Sequence, residues 1–274
     1  MPELPEVEVI RRGLHKHLPG RKVLGIKSAN KKLRLPMPIK YLKKYIQGAR
    51  IKSVGRRAKF LLIAMDNGSY LIFHLGMTGR LGLFPTSVPR SKHDHLLVQL
   101  DNNMHLRFND IRRFGFIQVL APGNDPNTSI LANLGPEPLG RDFTPRYLKE
   151  RAAGKNRPLK NFLMDSREVA GIGNIYACEI LFLAGLNPGK KISRLTMNDW
   201  SKIVASSRKV LQKAIASGGT TISDFVNESG KSGYFQLELQ TYGKQGLPCN
   251  CCSTPIAKKI MAGRSTFFCP RCQK

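Results

Sequence analysis

Acidic residues are scarce in this sequence. The 274-residue chain has 18 Asp and Glu against 45 Lys and Arg, a formal net charge of +27 and a pI near 10.3. So large an excess repels itself in a compact fold unless an anionic partner is usually present. Long apolar runs are also missing. None approaches the roughly 18–20 residues that a membrane-spanning helix needs, so the chain has no reason to be read as an integral membrane protein. The opening Met1-Pro2-Glu3-Leu4-Pro5-Glu6 is acidic and lacks an apolar signal core, which argues against secretion. There are no repeats and no low-complexity tracts. Nucleic acid is the partner these absences favour, with an anionic membrane surface second. A ribosomal protein would be as basic, so the charge names a partner and no activity.

The length suggests two or three domains, and 41% hydrophobic residues are enough to fill real cores. Six cysteines in a chain read as cytosolic should be free thiols or metal ligands rather than disulfides. Cys249, Cys252, Cys269 and Cys272 form two C-x-x-C pairs at zinc-ribbon spacing. Four thiolates close a tetrahedral zinc and leave no position for substrate, so one structural ion is expected. Cys251 lies inside the first knuckle as a possible competitor, and Cys178 reads as a small buried apolar residue.

Leu4, Val7, Ile10, Leu14 and Leu18 recur at helical spacing, with Glu3, Glu6 and Glu8 ahead of Arg11, Arg12 and Lys16 as the helix dipole prefers. From about 21 to 120 the pattern is strand-like. Residues 60–63 and 70–73 flank the turn Asp66-Asn67-Gly68, 95–100 and 104–108 flank Asn102-Asn103, and 114–120 adds another strand. Residues 1–120 thus read as one helix followed by a β-sandwich or flattened barrel. The Pro- and Gly-rich stretch 121–140 reads as a linker. Helical signals follow: Thr144-Pro145 as a helix start, 159–165, 173–183 ended by Gly185, and 197–217 with Thr196 and Asp199 as a capping box. This gives an α+β chain: a β-sandwich domain 1–120, a linker 121–140, a helical domain 141–239 and a zinc finger 240–274. The Gly- and Ser-containing stretch 218–233 should be mobile.

Three places carry chemistry. Gly171-Ile172-Gly173-Asn174 opens a helix, where bare backbone N–H groups can meet a phosphate, although a tight interhelical turn needs glycine just as much. Between the knuckles, residues 256–268 read as a β-hairpin turning at Ala262-Gly263. Arg264 there is either an exposed arginine on a stapled ribbon or a guanidinium held against phosphate beside Lys258 and Lys259. At the N-terminus, Pro2 to Glu6 is either a rigid helix entry or something more reactive. Removal of Met1 would leave a secondary amine on Pro2 beside Glu3, able to attack a sugar C1′ and form an iminium.

Pro2-Glu3-Leu4-Pro5-Glu6-Val7-Glu8 resembles the opening of the bacterial formamidopyrimidine-DNA glycosylases. So do Arg56-Arg57-Ala58-Lys59-Phe60, His74-Leu75-Gly76-Met77, Lys92-His93-Asp94-His95 and Arg112-Arg113-Phe114-Gly115. The segments 134–139 and 169–176, Gly218-Gly219-Thr220-Thr221 and the cysteine knuckles follow in family order and span essentially the whole chain. The resemblance implies a helix-two-turn-helix domain after the sandwich. It also implies a monomeric, cytoplasmic, nucleoid-associated bacterial enzyme that removes oxidised purines from duplex DNA and then cuts the abasic strand. Pro2 would be the Schiff-base nucleophile and Glu3 the proton shuttle. Lys59 would serve β-elimination and Arg264 δ-elimination. His74, His93, Arg112, Lys155 and Asn174 would hold DNA, with Met77, Arg112 and Phe114 filling the gap left by the extruded nucleotide.

Without the resemblance, Met77 reads as core, Phe114 as a buried strand residue, and His74, His93 and His95 as surface histidines. Val9, Cys251 and Thr241-Tyr242-Gly243-Lys244 depart from the family pattern, and none is a proposed catalytic residue. Two rivals stay open: the sister glycosylases that act on oxidised pyrimidines, and a non-catalytic basic DNA- or RNA-binding protein on the same scaffold.

Overall fold

The N-terminal apolar stripe becomes helix α1, Leu4–His17, with Leu4, Val7, Ile10 and Leu14 buried on one face. The computed structural model describes residues 2–29, 32–218 and 239–274. Pro5 sits in the first turn of α1, where its missing N–H removes no helical bond. Glu3 caps the helix in a reciprocal box: its carboxylate accepts the Glu6 N–H, and its own N–H donates to Glu6 Oε2 at 2.8 Å.

Strand β1 (Val23–Ser28) follows, and then the strand-like expectation fails over one segment. Helix α2 (Ile39–Tyr41) runs into a single π turn, Leu42–Ile46. Leu42 and Ile46 stand four residues apart and both are buried, so this stretch packs at helical period while its lysines face water. Seven strands complete the layer: β2 (Ile51–Arg57), β3 (Phe60–Met65), β4 (Tyr70–His74), β5 (Gly79–Pro85), β6 (Asp94–Leu100), β7 (Met104–Asp110) and β8 (Phe116–Leu120). They form two antiparallel four-stranded sheets, ordered β1-β6-β7-β5 and β2-β3-β4-β8. Leu61, Ile63 and Phe73 from one sheet share a core with Leu96, Val98, Leu106 and Phe108 from the other and with α1. The layer is therefore a sandwich, with the inward alternation that packing two faces requires. Both expected hairpins are present. The last strand starts at Phe116, leaving Phe114 outside it.

The chain divides into two compact units, one reaching Ala132 and the other holding Asn133–Ser217 together with the C-terminal cysteine segment. The second unit contains α3 (Pro145–Ala152), α4 (Leu159–Met164), α5 (Asn174–Ala184), α6 (Met197–Ala216) and a hairpin of β9 (Ala257–Met261) and β10 (Arg264–Phe268). Thr144 caps α3, accepting the Tyr147 N–H at 3.1 Å. Thr196 and Asp199 form the expected box at α6, with bonds of 3.0 and 3.2 Å. Helix α5 is apolar almost all round and accordingly buried, packed among Phe162, Trp200, Ile203 and Leu211. Gly185 ends it at φ 70°, a left-handed stop. Beyond Gly218, the stretch expected to be mobile lies outside the described residues. No described helix is long and apolar enough to cross a membrane.

Candidate active site and nucleic-acid interface

Pro2 is half-buried immediately ahead of α1, and Glu3 beside it is fully buried. Five residues along the same helix, Glu8 receives three guanidinium groups, from Arg11 at 2.8 Å, Arg12 at 2.9 Å and Arg56 at 3.0 Å. Burial pushes its carboxyl upward, but the bonds from Arg11, Arg56 and Arg12 outweigh that and hold it below the ordinary glutamate value. Arg56 is bidentate in effect: Nε reaches Glu8 while Nη1 donates to the Ala58 carbonyl at 2.9 Å. Ala58 has φ 51°, left-handed without being glycine, and this bond holds the tight turn between β2 and β3 that displays Lys59. The helix that carries Glu3 and the turn that carries Lys59 are thus tied by one ion pair. The sequence shows Glu8 and Arg56 only as members of separate motifs, and their pairing, which spans 48 positions, is not legible in it.

His74 ends β4 in an aromatic slot. Its ring lies 4.9 Å from Phe60 and stacks on Phe116 at 5.1 Å with an 11° interplanar angle. Nδ1 accepts the Gly76 N–H at 3.1 Å. Burial, with the positive charges of Lys59 and Arg34, lowers its pKa to about 4, so the ring is neutral near pH 7 with its proton on Nε2. His95 is buried, which overturns its reading as a surface histidine; Nε2 donates to the Asp110 carbonyl at 2.8 Å.

Met77 and Phe114 are exposed, at 39% and 43%. That overturns the core reading of the first and the buried-strand reading of the second. The exposed Arg112 guanidinium lies 4.6 Å over the Phe114 ring, a cation–π contact that pairs two of the three expected gap-filling residues. Their loops are interlocked at the backbone. Gly76 has φ 63°, and a Cβ there would lie 2.4 Å from Gly115 N and from Phe114 C, so no other residue fits. His93 is half-buried at the end of a loop braced by Arg107. This buried arginine donates to the carbonyls of Pro89 (2.8 Å) and Val88 (2.5 Å) and lies 3.6 Å from Asp94.

In the second unit Lys155 does not stand free. Its ammonium lies 2.5 Å from Glu168, which also pairs with Arg151 at 2.7 Å and Arg157 at 3.0 Å. Burial raises the Glu168 carboxyl, but its bonds to Lys155 and Arg151 prevail and its pKa is lowered. Gly171 adopts φ 81°, so the glycine turn before α5 is sterically required whatever it binds. Asn174 opens α5 with both ends of its amide engaged. Nδ2 donates to the Ser265 carbonyl at 2.9 Å, and Oδ1 accepts from Lys160 at 2.5 Å. Lys160 is fully buried and also donates to Thr266 Oγ1 at 2.7 Å. These bonds anchor β10 one and two residues from the exposed Arg264, so Asn174 and Arg264 are brought together.

The hairpin turns at Ala262-Gly263, both left-handed, as the sequence predicts. The Sγ atoms of Cys249, Cys252, Cys269 and Cys272 all lie within 4.8 Å of one another. Cys249 and Cys272 are 3.9 Å apart, and Cys252 and Cys269 are 3.5 Å apart. A tetrahedral zinc with Zn–S bonds of about 2.3 Å sets an S···S edge of about 3.8 Å, so the four thiols fit that ion. The backbone N–H of Cys251 lies 3.5 Å from Cys249 Sγ and that of Cys272 3.4 Å from Cys269 Sγ, donors that steady a thiolate's negative charge. Cys251 is exposed and is not one of the four clustered thiols, and Cys178 is buried. A second feature that sequence reading missed holds the finger to α5. Glu179, the sole acid of an apolar helix, accepts the N–H groups of Gln240 (2.8 Å), Thr241 (2.9 Å) and Tyr242 (2.8 Å). That isolated acid was its signal.

Three family models match the chain: the formamidopyrimidine-DNA glycosylase N-terminal domain over residues 1–117, its H2TH domain over 134–226, and a zinc finger found in FPG and IleRS over 246–274. The formamidopyrimidine-DNA glycosylase of Legionella pneumophila strain Philadelphia 1 is 44% identical over 273 residues, covering 100% of this chain and 98% of its own length. That of Photobacterium profundum is 46% identical over 274 residues and the full length of both. Among solved structures, the Lactococcus lactis enzyme with Fapy-dG-containing DNA matches with a TM-score of 0.89 and 36% identity, over 99% of this chain and 100% of that one. MutM in complex with carbocyclic 8-oxo-G DNA matches at 0.90 and 35%, over the whole of both chains. With its sandwich, helix-two-turn-helix unit and four-cysteine zinc site, this chain belongs to the formamidopyrimidine-DNA glycosylase family and is a DNA glycosylase.

Proposed function

We propose that the protein binds duplex DNA, excises 8-oxoguanine and formamidopyrimidines, and then cleaves the abasic strand by β,δ-elimination, acting as a cytoplasmic monomer. The observation that carries this reading is Pro2 set directly before the buried, helix-capping Glu3, in a chain that matches the family from end to end. Once Met1 is removed, the Pro2 nitrogen is a secondary amine. Its lone pair attacks C1′ while the damaged base leaves with its bonding electrons and takes up a proton from solvent, and the proton carried by the new ammonium passes to the Glu3 carboxylate. Glu3 then protonates the sugar ring oxygen as the ring opens to an iminium. Loss of a C2′ proton expels the 3′ phosphate, with Lys59 in the turn braced by Glu8 and Arg56 as the proton donor. The second elimination releases the 5′ phosphate, with Arg264 beside it on the stapled hairpin. Residues 1–120 would be the catalytic domain, 141–239 the DNA-binding helices and 240–274 the finger.

Extruding a nucleotide costs a few kcal/mol, and less at a damaged pair. The exposed Met77, Arg112 and Phe114 suit the filling of the vacated space. A neutral His74 suits donation of Nε2–H to a phosphate, and Asn174 and Lys155 suit backbone contacts, the latter with its charge shared by Glu168. Borohydride reduction of the iminium tests the reading. Wild type should form a covalent adduct with 8-oxoguanine duplex, and a chain with an extension ahead of Pro2 should form none. An undiminished adduct with the terminus blocked rules out Pro2. Faster excision of thymine glycol than of 8-oxoguanine opposite cytosine would transfer the chain to the oxidised-pyrimidine type.

A further inference from the structure

One buried carboxylate braces both loops that carry the exposed Met77, Arg112 and Phe114. Asp110 closes β7 and is fully buried. Its Oδ1 accepts the Thr78 hydroxyl at 2.5 Å and the Arg112 N–H at 3.2 Å, and its Oδ2 accepts the Gly115 N–H at 2.7 Å. The Arg112 N–H is shared with Thr78 Oγ1 at 3.1 Å. The main chain of Asp110 is fixed as well, by His95 Nε2 donating to its carbonyl at 2.8 Å and by its own N–H donating to His93 O at 3.1 Å. Thr78 follows Met77 directly, while Arg112 and Gly115 bracket the loop that holds Phe114. Between them Arg113 has φ 57°, a left-handed conformation unfavourable to an arginine, and the Asp110 bonds lie on either side of it. The exposed side chains of Met77 and Phe114 have little packing of their own to hold them. Their placement comes from the loop roots, and the roots meet at Asp110.

We propose that Asp110, with Thr78, is a positioning residue that sets the gap-filling trio before DNA arrives. This rests on reading Met77, Arg112 and Phe114 as that trio. A pre-ordered wedge spares the extrusion step the cost of ordering two loops, so the carboxylate acts on the rate of extrusion and excision more than on DNA affinity. An amide in place of the carboxylate keeps the shape. It turns an N–H₂ toward either the Gly115 N–H or the Arg112 N–H, and both of those groups can only donate, so one backbone bond to the loop roots is always lost even if the Thr78 hydroxyl turns to accept from the amide.

The test compares wild type with Asp110→Asn, Thr78→Val and Thr78→Ser on an 8-oxoguanine duplex carrying 2-aminopurine next to the lesion. Asp110→Asn should slow single-turnover excision about thirty-fold, equivalent to about 2 kcal/mol of positioning. It should also lose the 2-aminopurine rise that reports insertion, with KM changed less than about three-fold. Borohydride trapping on an abasic single strand, where no orphaned base needs replacing, should stay near the wild-type level. If Asp110→Asn does not fold, Thr78→Val carries the test: excision should fall about five-fold, and Thr78→Ser, which keeps the hydroxyl, should restore it. Wild-type excision and fluorescence in a folded Asp110→Asn or Thr78→Val overturns the proposal, as does an equal loss of single-strand trapping. A wild-type chain that neither excises nor traps fails the functional reading instead.

Discussion

Acid should weaken this protein through His74. The folded ring has a pKa of about 4 against 6.5 for the unpaired group, because burial and the charges of Lys59 and Arg34 oppose protonation. Nδ1 already accepts the Gly76 N–H, so a proton arriving there would meet another donor. A base whose folded pKa is depressed binds protons preferentially in the unfolded chain. Its contribution is complete above about pH 6.5, declines as pH falls toward 4, and changes no further below that. The full span is worth about 3 kcal/mol, and about 2 kcal/mol of it is gone by pH 5. His74→Phe keeps a ring between Phe60 and Phe116 but cannot titrate, and it leaves the Gly76 N–H unpaired at a cost that does not vary with pH. Urea unfolding of both proteins from about pH 7.5 to 5 isolates the histidine, since the other titrating groups cancel. The gap between them should close by about 2 kcal/mol, and parallel stability curves would refute the account. A neutral ring also contributes no counterion release. Under the proposed DNA contact, His74→Phe should therefore weaken binding while leaving the salt slope within experimental scatter, and a slope reduced by one would show a charged contact.

Three further perturbations follow. Gly76→Ala places a Cβ 2.4 Å from the Phe114–Gly115 backbone at a positive φ. It should cost about 3 kcal/mol, seen as a melting temperature lowered by about 6–12 °C in scanning calorimetry; a shift below about 2 °C would mean the loops are not interlocked. Glu179→Gln turns an N–H₂ toward at least one of three backbone donors and removes charge from the remaining bonds. Calorimetry should register a loss of about 3 kcal/mol, and a loss below about 1 kcal/mol would deny the carboxylate its anchoring role. Cys269→Ser should abolish zinc in a metal assay and lower strand cleavage and DNA affinity at least about ten-fold while borohydride trapping persists. Normal cleavage by the zinc-free protein would detach the metal from the placement of Arg264.

Local pattern made part of this molecule legible. The stripe from Leu4 to Leu14, the Asp66-Asn67-Gly68 turn, the Thr196–Asp199 box and the cysteine knuckles are each written within a few residues, and each forms as read. Phe114 falls outside the strand that the pattern Phe114-Gly115-Phe116-Ile117 predicts, because Arg113 at φ 57° and the crowded Gly115 stop the ladder short. His95 is buried where the sequence suggests a surface histidine because β6 is buried on both faces, so alternation there says nothing about exposure. The buried charges were hidden for another reason. Lys160 finds Thr266 across 106 positions and Glu179 finds Thr241 across 62, and no local period encodes such a partner.

The bonds to Glu179 bear on how freely the segment ahead of the first cysteine knuckle can change. Residues 240–242 present consecutive main-chain N–H groups to the carboxylate, with the Thr241 hydroxyl adding a fourth donor at 3.1 Å. A backbone N–H is common to every residue except proline, so the anchor is indifferent to most side chains that could occupy the segment. Thr241-Tyr242-Gly243-Lys244 can therefore drift while the finger keeps its seat on α5. Selection should fall on the single acid in the helix and spare the sequence it holds.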